Sequence, residues 1–269
     1  MRTGRAARRA ARASCVVVLA LACLGLAHAG VVLGNTRVVF PGDARDVTVR
    51  LDNRNAHPVL VQAWIERADG DDRAVPLAPL PPLFRMEPGR GQALRIHRLP
   101  GALPRDRETL FWLNVLDMPP EPSGATASPH MKIALRTQVK LFHRPAGLAG
   151  SAASAPRALR WRLVRMGAAD AVEVDNPTPY HVTIARLVLG DGLDTHGEMV
   201  APFDRRVIAL DAPAIAGDRQ APSAASRARR LREAGRVVFD AINDQGGTER
   251  VEGALAESPM SPGSPGGTH

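Results

Sequence analysis

Lys132 and Lys140 are the only lysines in a chain of 269 residues that carries 35 basic side chains, so every other cation is arginine. Both stand in one stretch, 131–142, and Lys140 has the parity opposite Val139 and Leu141. An ammonium is a compact point charge where a guanidinium is a planar fork, and the two fit a small anion differently. Composition alone leaves a special role for Lys140 open, because Lys132 shows that lysine can also fall in this stretch by chance. The histidines offer less. His57, His97, His130, His143, His181, His196 and His269 show no close metal-ligand spacing, and each reads as a surface or turn residue. No G-x-S-x-G elbow, phosphate-binding glycine loop, G-x-G-x-x-G turn or H-E-x-x-H pair is present. The chemistry on offer is binding, with no metal and no cofactor expected.

The first 29 residues read as an address. Arg2, Arg5, Arg8, Arg9 and Arg12 form a basic stretch, residues 15–26 are apolar, and Ala27-His28-Ala29 is a small-x-small site. This is the pattern of a secretory signal cleaved after Ala29. The alternatives are an uncleaved anchor, for which the apolar run is short, and a lipoprotein signal at Cys23, whose preceding Ala20-Leu21-Ala22 is a poor match. Cleavage removes Cys15 and Cys23, the only cysteines, so no disulfide or thiol chemistry is available to the exported chain. It also removes five arginines. The formal charge falls from +8 to +3, with 30 bases against 27 acids, and nucleic acid is excluded as a partner on charge.

The elements that must position Lys140 read as strands. Residues 46–52 alternate strictly and put Val47, Val49 and Leu51 on one buried face. Runs at 59–65, 94–97, 109–116 and 131–142 follow, separated by Gly and Pro clusters. A small-residue linker at 148–158 leads to further runs at 159–164, 171–175, 181–189, 206–210 and 236–242. The fold class expected is all-β, with two immunoglobulin-like β-sandwich domains at 30–147 and 159–256. Residues 213–235, rich in Ala and Arg, interrupt the second. They read either as a solvated or partly helical loop insertion or as a patch for a negatively charged partner or membrane surface. Residues 257–269 are a Ser/Pro/Gly tail, expected to be disordered.

Several segments then fall into one order: Thr36-Arg37-Val38, Gln62-Ala63-Trp64-Ile65-Glu66, Arg85-Met86-Glu87-Pro88-Gly89, Arg107-Glu108-Thr109-Leu110-Phe111-Trp112-Leu113-Asn114-Val115, Val139-Lys140-Leu141-Phe142-His143-Arg144-Pro145, Asn176-Pro177-Thr178-Pro179-Tyr180 and Asn243-Asp244-Gln245-Gly246-Gly247. In these the chain resembles the periplasmic pilus chaperones of chaperone–usher systems, the PapD-like family. The resemblance implies two sandwiches in an L or boomerang arrangement. It implies a G strand at 131–141 that completes the unfinished fold of a fimbrial subunit, which is then delivered to an outer-membrane usher. Met131, Ile133 and Leu135 are the implied main pegs, with Val139 and Leu141 as weaker ones. The same parity can equally pack the chain's own core. Arg37 and Lys140 match the pair that holds the subunit's C-terminal carboxylate, and Glu108, Arg144 and Asp244 match an ion-pair network between domains. The short loop between Pro119 and Met131 resembles the short-loop subclass. An exposed G strand also invites self-association when no subunit is bound. The competing readings are a secreted two-domain adhesin or binding module, which has no use for two cations facing a cleft, and a secreted hydrolase, for which no nucleophile–base set is found.

Overall fold

The computed structural model describes residues 30–70, 74–120, 133–167, 169–188, 198–210 and 223–256. The expected signal, the loop after Pro120 with Met131 and Lys132, and the expected tail lie outside these residues.

Alternation becomes sheet in the first unit. Its strands are β1 (Val31–Leu33), β2 (Arg37–Pro41), β3 (Asp46–Asn53), β4 (Val59–Arg67), β5 (Leu77–Leu80), β6 (Leu83–Met86), β7 (Gly91–Arg98), β8 (Thr109–Met118) and β9 (Leu135–Arg144). They form two sheets, ordered β1-β3-β7-β5 and β2-β9-β8-β4-β6. Val49 and Leu51 of β3 and Leu94 and Ile96 of β7 are buried against Val61 of β4 and Phe111 and Leu113 of β8. Period-two burial from facing sheets is what closes a sandwich. Every pairing is antiparallel except that of β2 with β9, which is parallel.

The second unit contains β10 (Arg160–Met166), β11 (Ala169–Asp175), β12 (Val182–Val188), β13 (Glu198–Val200), β14 (Arg205–Ala209), α1 (Ala224–Ala234), β15 (Arg236–Ile242) and β16 (Thr248–Ala256). Its strands run in the order β13-β12-β15-β16-β10-β11-β14. The halves join only where Trp161 and Arg162 pair in parallel with Leu255 and Ala256. The order folds over at that seam. Trp161, Val172 and Val174 of one half share a core with Ile184, Val237 and Phe239 of the other. The chain is thus built of two immunoglobulin-like sandwiches.

Two segments expected to stand apart are packed in. Ala155, in a 3-10 turn at Ala155–Ala158 within the expected linker, is buried in the second core, because small side chains let the turn lie close. The insertion contributes α1, which starts at Ser223, whose hydroxyl accepts from the Ser226 N–H. It ends at Gly235 in the left-handed region (φ 62°), where the Gly235 N–H donates to Leu231 O. Ala228 and Leu231 sit in the second core, so α1 is a structural member rather than a solvated loop.

Candidate functional site

The parallel pairing of β2 and β9 sets Arg37 beside Lys140. Both side chains cross to the second sandwich, where their contacts are again neighbours: Ile242 pairs with Thr183. Arg37 Nη1 donates to the Ile242 carbonyl at 3.1 Å, and Lys140 Nζ stands 3.5 Å from the Thr183 hydroxyl. Arg37 is buried (7% exposed), and its Nε has no hydrogen-bond partner. Neither cation pairs with a carboxylate among the described residues. Burial lowers the pKa of Arg37, partly offset by the field of Asp244. Lys140 is pushed down first by burial and then by Arg37. Two adjacent, half-desolvated cations with spare donors form a site for an anion, and a carboxylate fits both charge and geometry.

Along β9 the environment changes at Lys140. β8 pairs with it throughout, Asp117 opposite Leu135 to Thr109 opposite His143. β2 covers the other edge only from Lys140 to Arg144. Residues 135–139 therefore have one free edge among the described residues. Ile133 is 66% exposed and Leu135 49%, while Val139 is 7% and Leu141 0%. The parity expected to carry five pegs splits. Val139 and Leu141 belong to the first sandwich's own core and cannot reach a partner, because the facing sheet covers their end of β9. Ile133 and Leu135 remain available, and Met131 lies outside the described residues.

Glu108, Arg144 and Asp244 come together between the sandwiches. Arg144 Nη1 and Nη2 donate to the two oxygens of Asp244 at 2.7 and 2.8 Å, and Nε donates to Glu108 Oε1 at 2.6 Å. Burial opposes the charge on Arg144, yet these two carboxylates raise its pKa above the ordinary arginine value. Buried Glu108 also accepts from the His181 N–H at 2.8 Å, and its own N–H donates to Pro179 O at 2.9 Å. A cavity of about 130 Å³ beside this network is lined by Arg37, Glu108, Arg144, His181 and Asp244. Asp244 is held in a turn by Asn243, whose side-chain oxygen accepts from the N–H groups of Gln245 and Gly247. Gly246 in that turn has φ 85°, and a Cβ there would collide with the Thr36 hydroxyl; only glycine lets the second sandwich approach the strand of Arg37 so closely.

Two histidines were underrated by sequence. His181 joins the network and its ring lies 5.3 Å from that of Phe142. His143 is buried beside Phe40, with burial first and Arg98 second lowering its pKa. The available signal was that His143 lies inside the motif ending at Pro145 and His181 directly follows the one ending at Tyr180.

The family profile described as "Pili and flagellar-assembly chaperone, PapD N-terminal domain" matches residues 30–149. "Pili assembly chaperone PapD, C-terminal domain" matches residues 154–253. The chain belongs to the PapD-like pilus-assembly chaperones. Among relatives of this chaperone, the probable fimbrial chaperone YadV of Escherichia coli K12 is 36% identical over 241 residues, covering 84% of this chain and 89% of the relative. HifB of Haemophilus influenzae is 38% identical over 194 residues, covering 69% and 78%. The fold agrees with a crystal structure of the YadV chaperone, with a TM-score of 0.64 and 32% identity over 84% of this chain and all of that one. It agrees also with a structure of the Salmonella enterica SafA pilin in complex with the SafB chaperone (TM-score 0.68, 29% identity, 84% and 96% coverage). Among the described residues no helix is long and apolar enough to cross a membrane.

Proposed function

We propose that this protein captures fimbrial subunits in the periplasm and holds them by strand addition along the free edge of β9 until delivery to an outer-membrane usher. The observation that carries the reading is a strand that is half-open among the described residues and ends at two cations without a carboxylate partner among them. An incoming strand lying in the lane of β2 beside residues 135–139 has one end at Arg37 and Lys140. A chain's C-terminus is an anion and its N-terminus a cation, so the pair selects a strand running parallel to β9 with its carboxylate at the cations. Ile133 and Leu135 then enter the subunit's unfinished core, each contributing about 1.5–3 kcal/mol when fully buried. The carboxylate fixes register, since a slip of one residue turns every apolar side chain to the wrong face. The SafA–SafB complex of a relative supports a pilin as the partner class.

Glu108, Arg144 and Asp244 set the orientation of the sandwiches, and no catalysis is assigned to the chain. Export through a signal at residues 1–29 brings it to the compartment where subunits emerge; the mature N-terminus at Gly30, read by mass spectrometry, tests that step. For capture, co-expression with a candidate subunit and pull-down from the periplasm is the experiment. The wild type should retain the subunit, and Arg37→Ala or Lys140→Ala should lose it while remaining folded. Undiminished capture by the double variant removes the anchor from the reading.

A further inference from the structure

A strand with a neighbour on one side only ordinarily frays, and among the described residues, 135–139 are in that position. Side chains grip this segment from both faces. On the outer face, Arg136 donates to Asn114 Oδ1 from Nε (2.9 Å) and Nη2 (2.7 Å), and to Glu66 Oε2 from Nη2 (2.8 Å). Its guanidinium lies 5.0 Å from the centre of the Trp64 ring, and Trp64 Nε1 donates to the other oxygen of Glu66 at 2.7 Å. Gln138 Nε2 donates to the same Asn114 oxygen at 3.0 Å. Arg136 and Gln138, both in the half-open segment, thus hang on one buried acceptor in β8. On the other face, the Leu135 N–H donates to Asp117 Oδ1 at 3.1 Å, while Oδ2 accepts from the Val31 N–H at 2.8 Å.

None of this is core packing. The Arg136 side chain is 45% exposed, so removing it opens no cavity. Its partners lie on the neighbouring strands β4 and β8, while residues 135–139 have no second strand neighbour among the described residues. We infer that Arg136, with Asn114, Glu66 and Trp64 behind it and Asp117 opposite, pre-orders the free half of β9 before any partner arrives. Arg136 is a positioning residue: it presents the strand without being a peg or an anchor. The bidentate, stacked geometry requires a guanidinium, which a lysine cannot replace. The consequence for capture rests on the functional reading above; the ordering of the free chain does not.

Amide hydrogen exchange on the free chain tests the ordering directly. In Arg136→Ala, exchange across residues 135–139 should be about tenfold faster, with β3 and β15 unchanged and the urea midpoint kept. Glu66→Ala should show the same loss in smaller measure, and Arg136→Lys should behave as Arg136→Ala. Subunit association should slow about tenfold, with dissociation altered less than about twofold, because ordering is then deferred to the encounter. Unaltered exchange in Arg136→Ala overturns the inference. Faster exchange in a chain that never captures a subunit supports the ordering and removes the functional reading instead, so the two fail separately.

Discussion

At the scale of single residues, Arg37 and Lys140 store unfavourable energy in the free chain. Two like charges lie side by side, partly withdrawn from water, without a described carboxylate partner. The pKa of Lys140 is therefore below its ordinary 10.5, with burial the larger cause. The unfolded chain binds more protons than the folded one between that lowered value and 10.5, so stability rises with pH through this window. Lys140→Met should abolish that rise, stabilise the free chain by up to about 1 kcal/mol, and still eliminate subunit capture. Denaturant titrations at pH 7 and pH 10 measure the first two effects and a pull-down the third. A Lys140→Met chain less stable than the wild type at both pH values counts against a penalised cation. Bound carboxylate works in the opposite sense, favouring the charged ammonium and causing proton uptake on binding under alkaline conditions.

Among the elements, β9 is divided: its first half is open on one edge among the described residues, and its second half is core. The point mutations that separate them are Leu135→Asp and Leu141→Asp. The former places a charge on an exposed face and should leave the thermal midpoint within a few degrees while preventing capture. The latter buries an unpaired carboxylate and should unfold the first sandwich. Equal destabilisation by the two, measured by calorimetry, contradicts the division. The alternation of β3 and β9 was legible in the sequence, as were Arg37 and Lys140 through their motifs. The point at which β9 passes from exposed to buried was not, because parity says which residues share a face and nothing about where the facing sheet ends. Arg136 was passed over for a related reason. It is one of many arginines, and its meaning comes from Asn114, Glu66 and Trp64 on two other strands. The partly helical reading of the insertion agrees with α1, but its packing was not legible for want of a clear apolar stripe: Ala228 and Leu231 reach the core among arginines.

Across the whole molecule, charged and aromatic side chains bridge the two sandwiches. Arg144 joins a carboxylate of the first sandwich to one of the second, and Arg107 of the first lies 4.9 Å from the ring of Phe203 in the second. Arg144→Ala leaves buried Glu108 without its cation, and should cost about 3 kcal/mol in stability. It should also broaden the distribution of domain orientations, visible as a larger radius of gyration in X-ray scattering. Unchanged scattering from a destabilised variant means that other contacts set the angle.

The place where β2 meets β9 also makes the lane a measuring rule with a stop at its end. Beyond Lys140 the chain's own strand fills the lane, so nothing can be threaded past it. On the proposed reading, a client must finish at that point to meet Arg37 and Lys140 with its carboxylate. Any subunit extended at its C-terminus by even a short peptide should be refused, although its fold is untouched. The same peptide fused to its N-terminus should be tolerated, and co-purification of the two fusions compares them. Acceptance of the N-terminal fusion alone would mean that the end of a polypeptide is what the lane reads, a feature that separates a finished chain from one still emerging into the compartment.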